Sequence, residues 1–422
     1  MKKEKIIFPR GFLWGASTSA HQVEGHNNND WSEWEKDNAS RLAGSAEKKW
    51  GCWQKNNFPE MLRTDNYISG RACDHYNRFA EDFETAKELG HNSHRFSIEW
   101  SRIESEEGVF DKREIRHYRE VLEDLKKKNI KPFVTLWHFT NPIWLSEVGG
   151  VECKKFPFYF SRYAKFVVEE LGDLVDFWIT FNEPTGYIAS TYIAGDWLFQ
   201  KKDIISAIKV FKNFSKAHNL AYGEIHSVQK NANVGLANIM WHIEPYYRKS
   251  PFDILFAKLA KHITNREILN LTRGKHDFLA VQYYFHRFAN IPRGMIEGDG
   301  IASDMGWEIF PKGIYTILNG LKKYNLPIYI TENGLADSDD SRREAFIKNH
   351  LYWTHKAIEA GVDVRGYFHW SLLDNFEWDK GYWPRFGLVE VDRSTLERKV
   401  RPSALRYAKI CKRNSFEIEI GE

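Results

Sequence analysis

Short apolar runs alternate with long one-sided stretches along the whole chain. Eight runs rich in aromatic and β-branched residues stand at 12–17, 93–98, 132–137, 177–181, 234–239, 278–284, 328–331 and 364–370. Uninterrupted apolar runs of this length, closed by polar residues or proline, read as strands buried on both faces. Between them, residues 74–89, 112–128, 157–171, 204–228, 252–271, 312–324, 341–360 and 403–411 carry helical patterns. In the second of these, Ile115, Val121, Leu122 and Leu125 stand among charged neighbours, the spacing of a helix that covers a sheet. Eight strand–helix units in alternation predict an α/β fold, a (β/α)8 TIM barrel with its helices outside. No linker or internal repeat divides the chain, so residues 1–422 are expected to form a single domain with loops elaborated at the C-terminal face. The longest stretch with neither pattern, 26–73, is expected to be a loop wrapping the barrel mouth.

In such a barrel the chemistry lies at the C-terminal strand tips, and the polar anomalies of this chain fall there. The fourth strand ends Trp178-Ile179-Thr180-Phe181-Asn182-Glu183-Pro184. Pro184 cannot donate to a sheet ladder, so it should close the strand and begin a loop. The seventh ends Ile330-Thr331-Glu332-Asn333-Gly334 in the same manner. Two carboxylates at two strand tips suit cleavage at an acetal carbon, one as acid and one as nucleophile. Other tips carry Gln22, His138, Tyr284 and Trp370, and just beyond the eighth stand Glu377 and Trp378. Arg95 lies inside the apolar second run and needs a buried partner, since an unpaired buried charge costs several kcal/mol. Beside Glu332 it would favour the ionised carboxylate. His138 has no second histidine or carboxylate at ligand spacing, so no metal site is expected, and no cofactor either.

Composition narrows the function further. Lys+Arg 60 against Asp+Glu 57 gives no reason to expect nucleic acid or a membrane surface as partner. No run approaches the roughly 18 apolar residues that span a bilayer. The four cysteines lack metal or disulfide spacing, and a cytoplasmic setting is expected. Sixteen tryptophans suit the packing of pyranose C–H faces on indole rings, although most are expected in the core.

At these residues the chain resembles glycoside hydrolase family 1, the β-glucosidase and β-galactosidase family of (β/α)8 barrels. The similarity runs from Phe8-Pro9-Arg10-Gly11 to Gly387-Leu388-Val389, nearly the full length. Thr180-Phe181-Asn182-Glu183-Pro184 matches the acid/base motif and Ile330-Thr331-Glu332-Asn333-Gly334 the nucleophile motif. The resemblance implies a retaining, exo-acting β-glycosidase on small β-glycosides or oligosaccharides, with Glu183 as acid/base and Glu332 as nucleophile. It further implies that Asn182 holds the sugar 2-hydroxyl and that Gln22, His138, Glu377 and Trp378 hold the 3-, 4- and 6-hydroxyls. Trp370 would be the stacking floor, and Arg95 and Tyr284 would tune the nucleophile. The chain departs from the family pattern at Phe139, Thr185 and Gln282, and it is short for the family, with abbreviated loops expected between strands five and seven. The alternatives are a 6-phospho-β-glycosidase, opposed by the carboxylate of Glu377, and an inactive sugar-binding barrel, opposed by the presence of both glutamates.

Overall fold

The computed structural model describes residues 2–420. Eight parallel strands close into a barrel: β1 (Leu13–Ser17), β2 (Ser93–Ser97), β3 (Lys131–Trp137), β4 (Phe177–Asn182), β5 (Asn233–Pro245), β6 (Leu279–Asn290), β7 (Ile328–Asn333) and β8 (Val364–Trp370). Pairing runs β5-β4-β3-β2-β1-β8-β7-β6, and β5 pairs with β6 to close the ring. A helix packs outside after each strand: α1 (His75–Glu88), α2 (Lys112–Lys127), α3 (Phe156–Leu171), α4 (Ile204–Val228), α5 (Pro251–His262), α6 (Lys312–Leu321), α7 (Arg343–Glu359) and α8 (Pro402–Arg413). The predicted barrel is therefore the fold. Among the described residues no helix is long and apolar enough to cross a membrane.

The pattern of α2 shows why these stretches take their places. The Asp111 side chain accepts from the Arg113 amide at the N-terminus, and Lys126 and Lys127 stand in the last turn, where the helix dipole favours them. Ile115, Tyr118, Val121, Leu122 and Leu125 turn inward and are buried, each such burial stabilising the fold by about 1.5–3 kcal/mol. Inside the barrel, Phe133 and Phe177 stack at 4.2 Å, and Phe278, Tyr329 and Phe368 pack edge-on against Phe133. This aromatic plug fills the N-terminal half and leaves the C-terminal mouth for polar groups.

Two expectations need correction. Residues 26–73 are not a loop: they hold a 20-residue helix, Asp30–Lys49, and a shorter one, Cys52–Asn57. Asn29 and Ser32 cap the long helix reciprocally, and its buried positions include Trp31, Glu35, Ala39, Leu42, Ala43 and Ala46. Alanines carry that face, which is why the stretch lacks an apolar signature. The expectation that it covers the mouth is met, since Trp31 packs edge-on against Trp378 at 4.7 Å. Second, Pro184 opens not a loop but a short helix, Pro184–Ile188, at whose start its missing N–H costs nothing. β5 and β6 run past the barrel rim and stay paired to Pro245 and Ala289, and a further strand, Gly294–Glu297, folds back on β6.

Candidate active site

A cavity of about 330 Å³ opens at the C-terminal end of the barrel. Glu183 and Glu332 both line it, together with Gln22, His138, Asn182, Tyr284, Trp370, Glu377 and Trp378. Nine of the ten residues singled out from sequence thus face one space. The tenth, Arg95, lies behind it, fully buried at the middle of β2.

The chain positions Glu183 by an abrupt change of backbone. β4 ends at Asn182, and Glu183 takes φ 42°, ψ 54°, in the left-handed region that a side-chain-bearing residue avoids. Pro184 then starts the next helix, so Glu183 stands between two elements. Such strain persists only where the surroundings over-determine it, and functional sites are where it gathers. Phe139 (φ 76°) and Trp378 (φ 48°), both on this cavity, share the conformation. Below Glu183 the backbone passes close: a Cβ on Gly186 would stand 3.2 Å from a carboxylate oxygen of Glu183.

Glu332 is held quite differently. Its Oε1 accepts from the guanidinium of Arg95 and, at 2.7 Å, from the amide of Gln282; its Oε2 accepts from the Tyr284 hydroxyl at 2.9 Å. Arg95 also donates to Asn182 at 2.6 Å and to Thr135 at 3.1 Å, and Gln282 donates to Asn182 at 2.8 Å. Arg95 and Gln282 therefore tie the tip of β4 to the tip of β7. By contrast, Oε1 of Glu183 has no hydrogen-bond partner among the described residues.

These surroundings separate the two acids. Burial, and then the negative charge of Glu332, push the Glu183 carboxyl well above the usual range, with Arg95 opposing. Burial raises Glu332 on balance, while, as expected, the charge and hydrogen bond of Arg95 and the bond from Tyr284 pull it down. Glu332 is accordingly the first of the pair to lose its proton. Glu377 is pushed up to about 8 by burial, with Lys380 opposing. Burial and Arg95 keep His138 well below its ordinary value, so it is neutral.

The remaining residues frame the space. The His138 ring lies near-parallel to Trp370 and Trp378, 6.1 and 6.0 Å away. The amide of Gln22 donates to the Phe376 carbonyl (2.7 Å), Asn375 (3.0 Å) and Glu377 (3.4 Å), and its oxygen accepts from Ser19 (2.6 Å). In this state it organises the loop after β8. Trp241, Phe285 and Trp307 pack edge to face in series with Arg287 over the first two, forming one wall of the cavity, and Trp197 lines it beside Trp378. Sequence reading did not single out those five. Only their aromatic excess hinted at them, because each sits on an irregular segment or on the unforeseen extensions of β5 and β6. Gln282 was marked as a departure, with no sign that it bonds both carboxylate and amide.

Residues 4–291 and 270–416 match the family model described as glycosyl hydrolase family 1. The chain belongs to that family. Family 1 members are retaining β-glycosidases, and this chain is an O-glycosyl hydrolase of that class. It is 32% identical over 456 residues to beta-glucosidase A of Thermotoga maritima, with 97% of this chain and 99% of that one covered. It is 29% identical over 527 residues to a beta-galactosidase of Pyrococcus woesei, with 99% of each covered. Among solved structures, a beta-glycosidase from Pyrococcus horikoshii superimposes with a TM-score of 0.86 at 36% identity, over 98% of this chain and 96% of that one. As a family 1 enzyme it retains the closed barrel of these relatives.

Proposed function

We propose that this enzyme removes terminal β-D-glucosyl or β-D-galactosyl residues from small β-glycosides, with Glu332 as nucleophile and Glu183 as acid/base. The observation that carries the assignment is the asymmetry of the two carboxyls: three donors converge on Glu332, while an oxygen of Glu183 is left without a partner. Relatives named for both sugars support the substrate class.

In the first step an oxygen of Glu332 attacks the anomeric carbon while Glu183 gives its proton to the departing glycosidic oxygen. Burial keeps that proton on Glu183 until the bond begins to break. As Glu332 becomes an ester it loses its charge, so one of the influences raising Glu183 falls away, and Glu183, having given up its proton, stands as a carboxylate. It then takes a proton from the water that hydrolyses the glycosyl-enzyme. Arg95, Gln282 and Tyr284 orient the nucleophile and, through Asn182, align the tip that would meet the 2-hydroxyl. His138, Glu377 and Trp378 face the rest of the sugar over Trp370, and Gln22 keeps the Glu377 loop in register. The wall around Trp241, Arg287 and Trp307 is the leaving-group side. Four free thiols support a reducing, cytoplasmic place of action.

A panel of aryl β-glycosides ranked by kcat/KM tests this reading. Turnover of the β-glucoside or β-galactoside is expected, and none of the 6-phosphoglycosides. Sugar binding with no release from any β-glycoside would sink it.

A further inference from the structure

Beyond the rim, β5 and β6 carry a cluster that the proposed hydrolysis does not use. His242 and Glu244 lie on β5, and His286 lies opposite His242 in the pairing with β6. One donor atom from each lies within 4.8 Å of the others, and this is the one such set of three or more His, Cys, Asp or Glu side chains among the described residues. Nε2 of His242 stands 3.8 Å from one oxygen of Glu244, and Nε2 of His286 stands 3.7 Å from the other. Both distances exceed a hydrogen bond, so the three groups converge without bonding one another. The donor–donor edge in a tetrahedral zinc site, with bonds of about 2.0–2.1 Å, is roughly 3.3 Å. The observed separations, 3.8 and 3.7 Å to Glu244 and within 4.8 Å overall, exceed that edge, so the three side chains would draw together around an ion.

Two further observations point to an ion rather than to chance. His286 is 3% exposed, yet its Nε2 has no hydrogen-bond partner, a costly state for a buried imidazole nitrogen. Its Nδ1, meanwhile, pairs with Glu308 at 2.5 Å. With the proton on Nδ1 directed at Glu308, the Nε2 lone pair faces the cluster, the arrangement in which a carboxylate orients a metal-binding histidine. Phe310 stacks on both imidazoles, at 5.2 and 4.1 Å, and fixes their planes. Lys261 is a nearby cation that acts on His242 against the carboxylate of Glu244.

We propose that His242, Glu244 and His286 form a binding site for a divalent transition ion of the zinc class, with a fourth position open to water. Two imidazoles and one carboxylate suit Zn2+ and discriminate against Mg2+ and Ca2+, which take oxygen ligands. The site stands directly behind the leaving-group wall: Trp241, Arg287 and Trp307 line the cavity, and their chain neighbours His242, His286 and Glu308 build the cluster. A bound ion would cross-link the extensions of β5 and β6 and brace that wall.

Calorimetric titration of the chelator-stripped full chain with Zn2+, with Mg2+ and Ca2+ as comparators, tests this. One Zn2+ per chain is expected, together with a rise in melting temperature and no saturable heat from the other two ions. Glu244→Gln, at the most exposed ligand, is expected to weaken Zn2+ binding at least tenfold, and His286→Ala to abolish it, while hydrolysis of an aryl β-glycoside by the metal-free protein persists. No saturable Zn2+ binding by the wild-type chain would overturn the proposal. So would Zn2+ binding that Glu244→Gln leaves unchanged, since the ion would then sit elsewhere; this arm stands even if His286→Ala fails to fold.

Discussion

Replacing Tyr284 by phenylalanine separates the roles of the two carboxyls. The substitution deletes one atom, the hydroxyl that donates to Oε2 of Glu332 at 2.9 Å, and leaves the ring against Trp307. A hydrogen bond to a charged acceptor contributes about 1.5–3 kcal/mol. Because the bond favours the carboxylate over the acid, its loss raises the Glu332 pKa, by about 1–2 units at 1.36 kcal/mol per unit. On the proposed assignment turnover requires Glu332 ionised and Glu183 protonated, so the kcat/KM profile is expected to be a bell whose acid limb follows Glu332 and whose basic limb follows Glu183. In Tyr284→Phe the acid limb is expected to move about 1–2 units towards higher pH. The basic limb should stay where it is, because Tyr284 makes no bond to Glu183. The assay is initial-rate hydrolysis of an aryl β-glycoside at low substrate across the pH range, with the melting temperature as a check on folding. A fixed acid limb with a shifted basic limb would refute the reasoning, since Glu332 would then be the proton donor.

Glu183→Gln is expected to cost about 10²–10⁴ in kcat for an alkyl glycoside, whose leaving group needs the proton. It should cost much less in the glycosylation of a dinitrophenyl glycoside, and comparison of the two rates by single turnover checks this. Arg95→Met leaves Glu332 buried without its cation and should destabilise the fold by about 3–5 kcal/mol, read by urea unfolding, with activity lost. Acid should also unfold the protein through its buried histidines. Burial lowers His91 to about 3 and His218 and His350 to about 4. Because these folded values lie below the unfolded value of about 6.5, the stability they confer is present above pH 6.5 and is lost as pH falls towards 4. Each contributes about 2 kcal/mol of that loss between pH 6.5 and 5. His350→Gln should flatten the fall in melting temperature over this window.

The barrel was legible because a strand buried on both faces leaves an unbroken apolar run, and its polar tip then stands out. Asn182-Glu183 and Glu332-Asn333 are visible in this way without any knowledge of tertiary structure. Beyond Ile239 the code fails. Met240-Trp241-His242-Ile243-Glu244 mixes apolar and polar residues above the rim, with Trp241 and Glu244 only partly buried, and no unbroken apolar run distinguishes it from a loop. The helix 30–49 was hidden because its buried face is built from alanines, with Glu35 accepting from Ser69 in place of an apolar contact. The bond from Gln282 to Glu332 depends on the register of β6 against β7, fifty residues apart, which no window of sequence contains. Likewise, His242 and His286 converge only once β5 and β6 are paired.

The central claim is that Glu332 forms the covalent bond to the sugar, and a slow-turnover 2-deoxy-2-fluoro-β-glucosyl fluoride reads it directly. After inactivation, peptide mass mapping is expected to find a single fluoroglycosyl adduct per chain, carried by Glu332. An adduct on Glu183, or inactivation without any covalent adduct, would contradict the account.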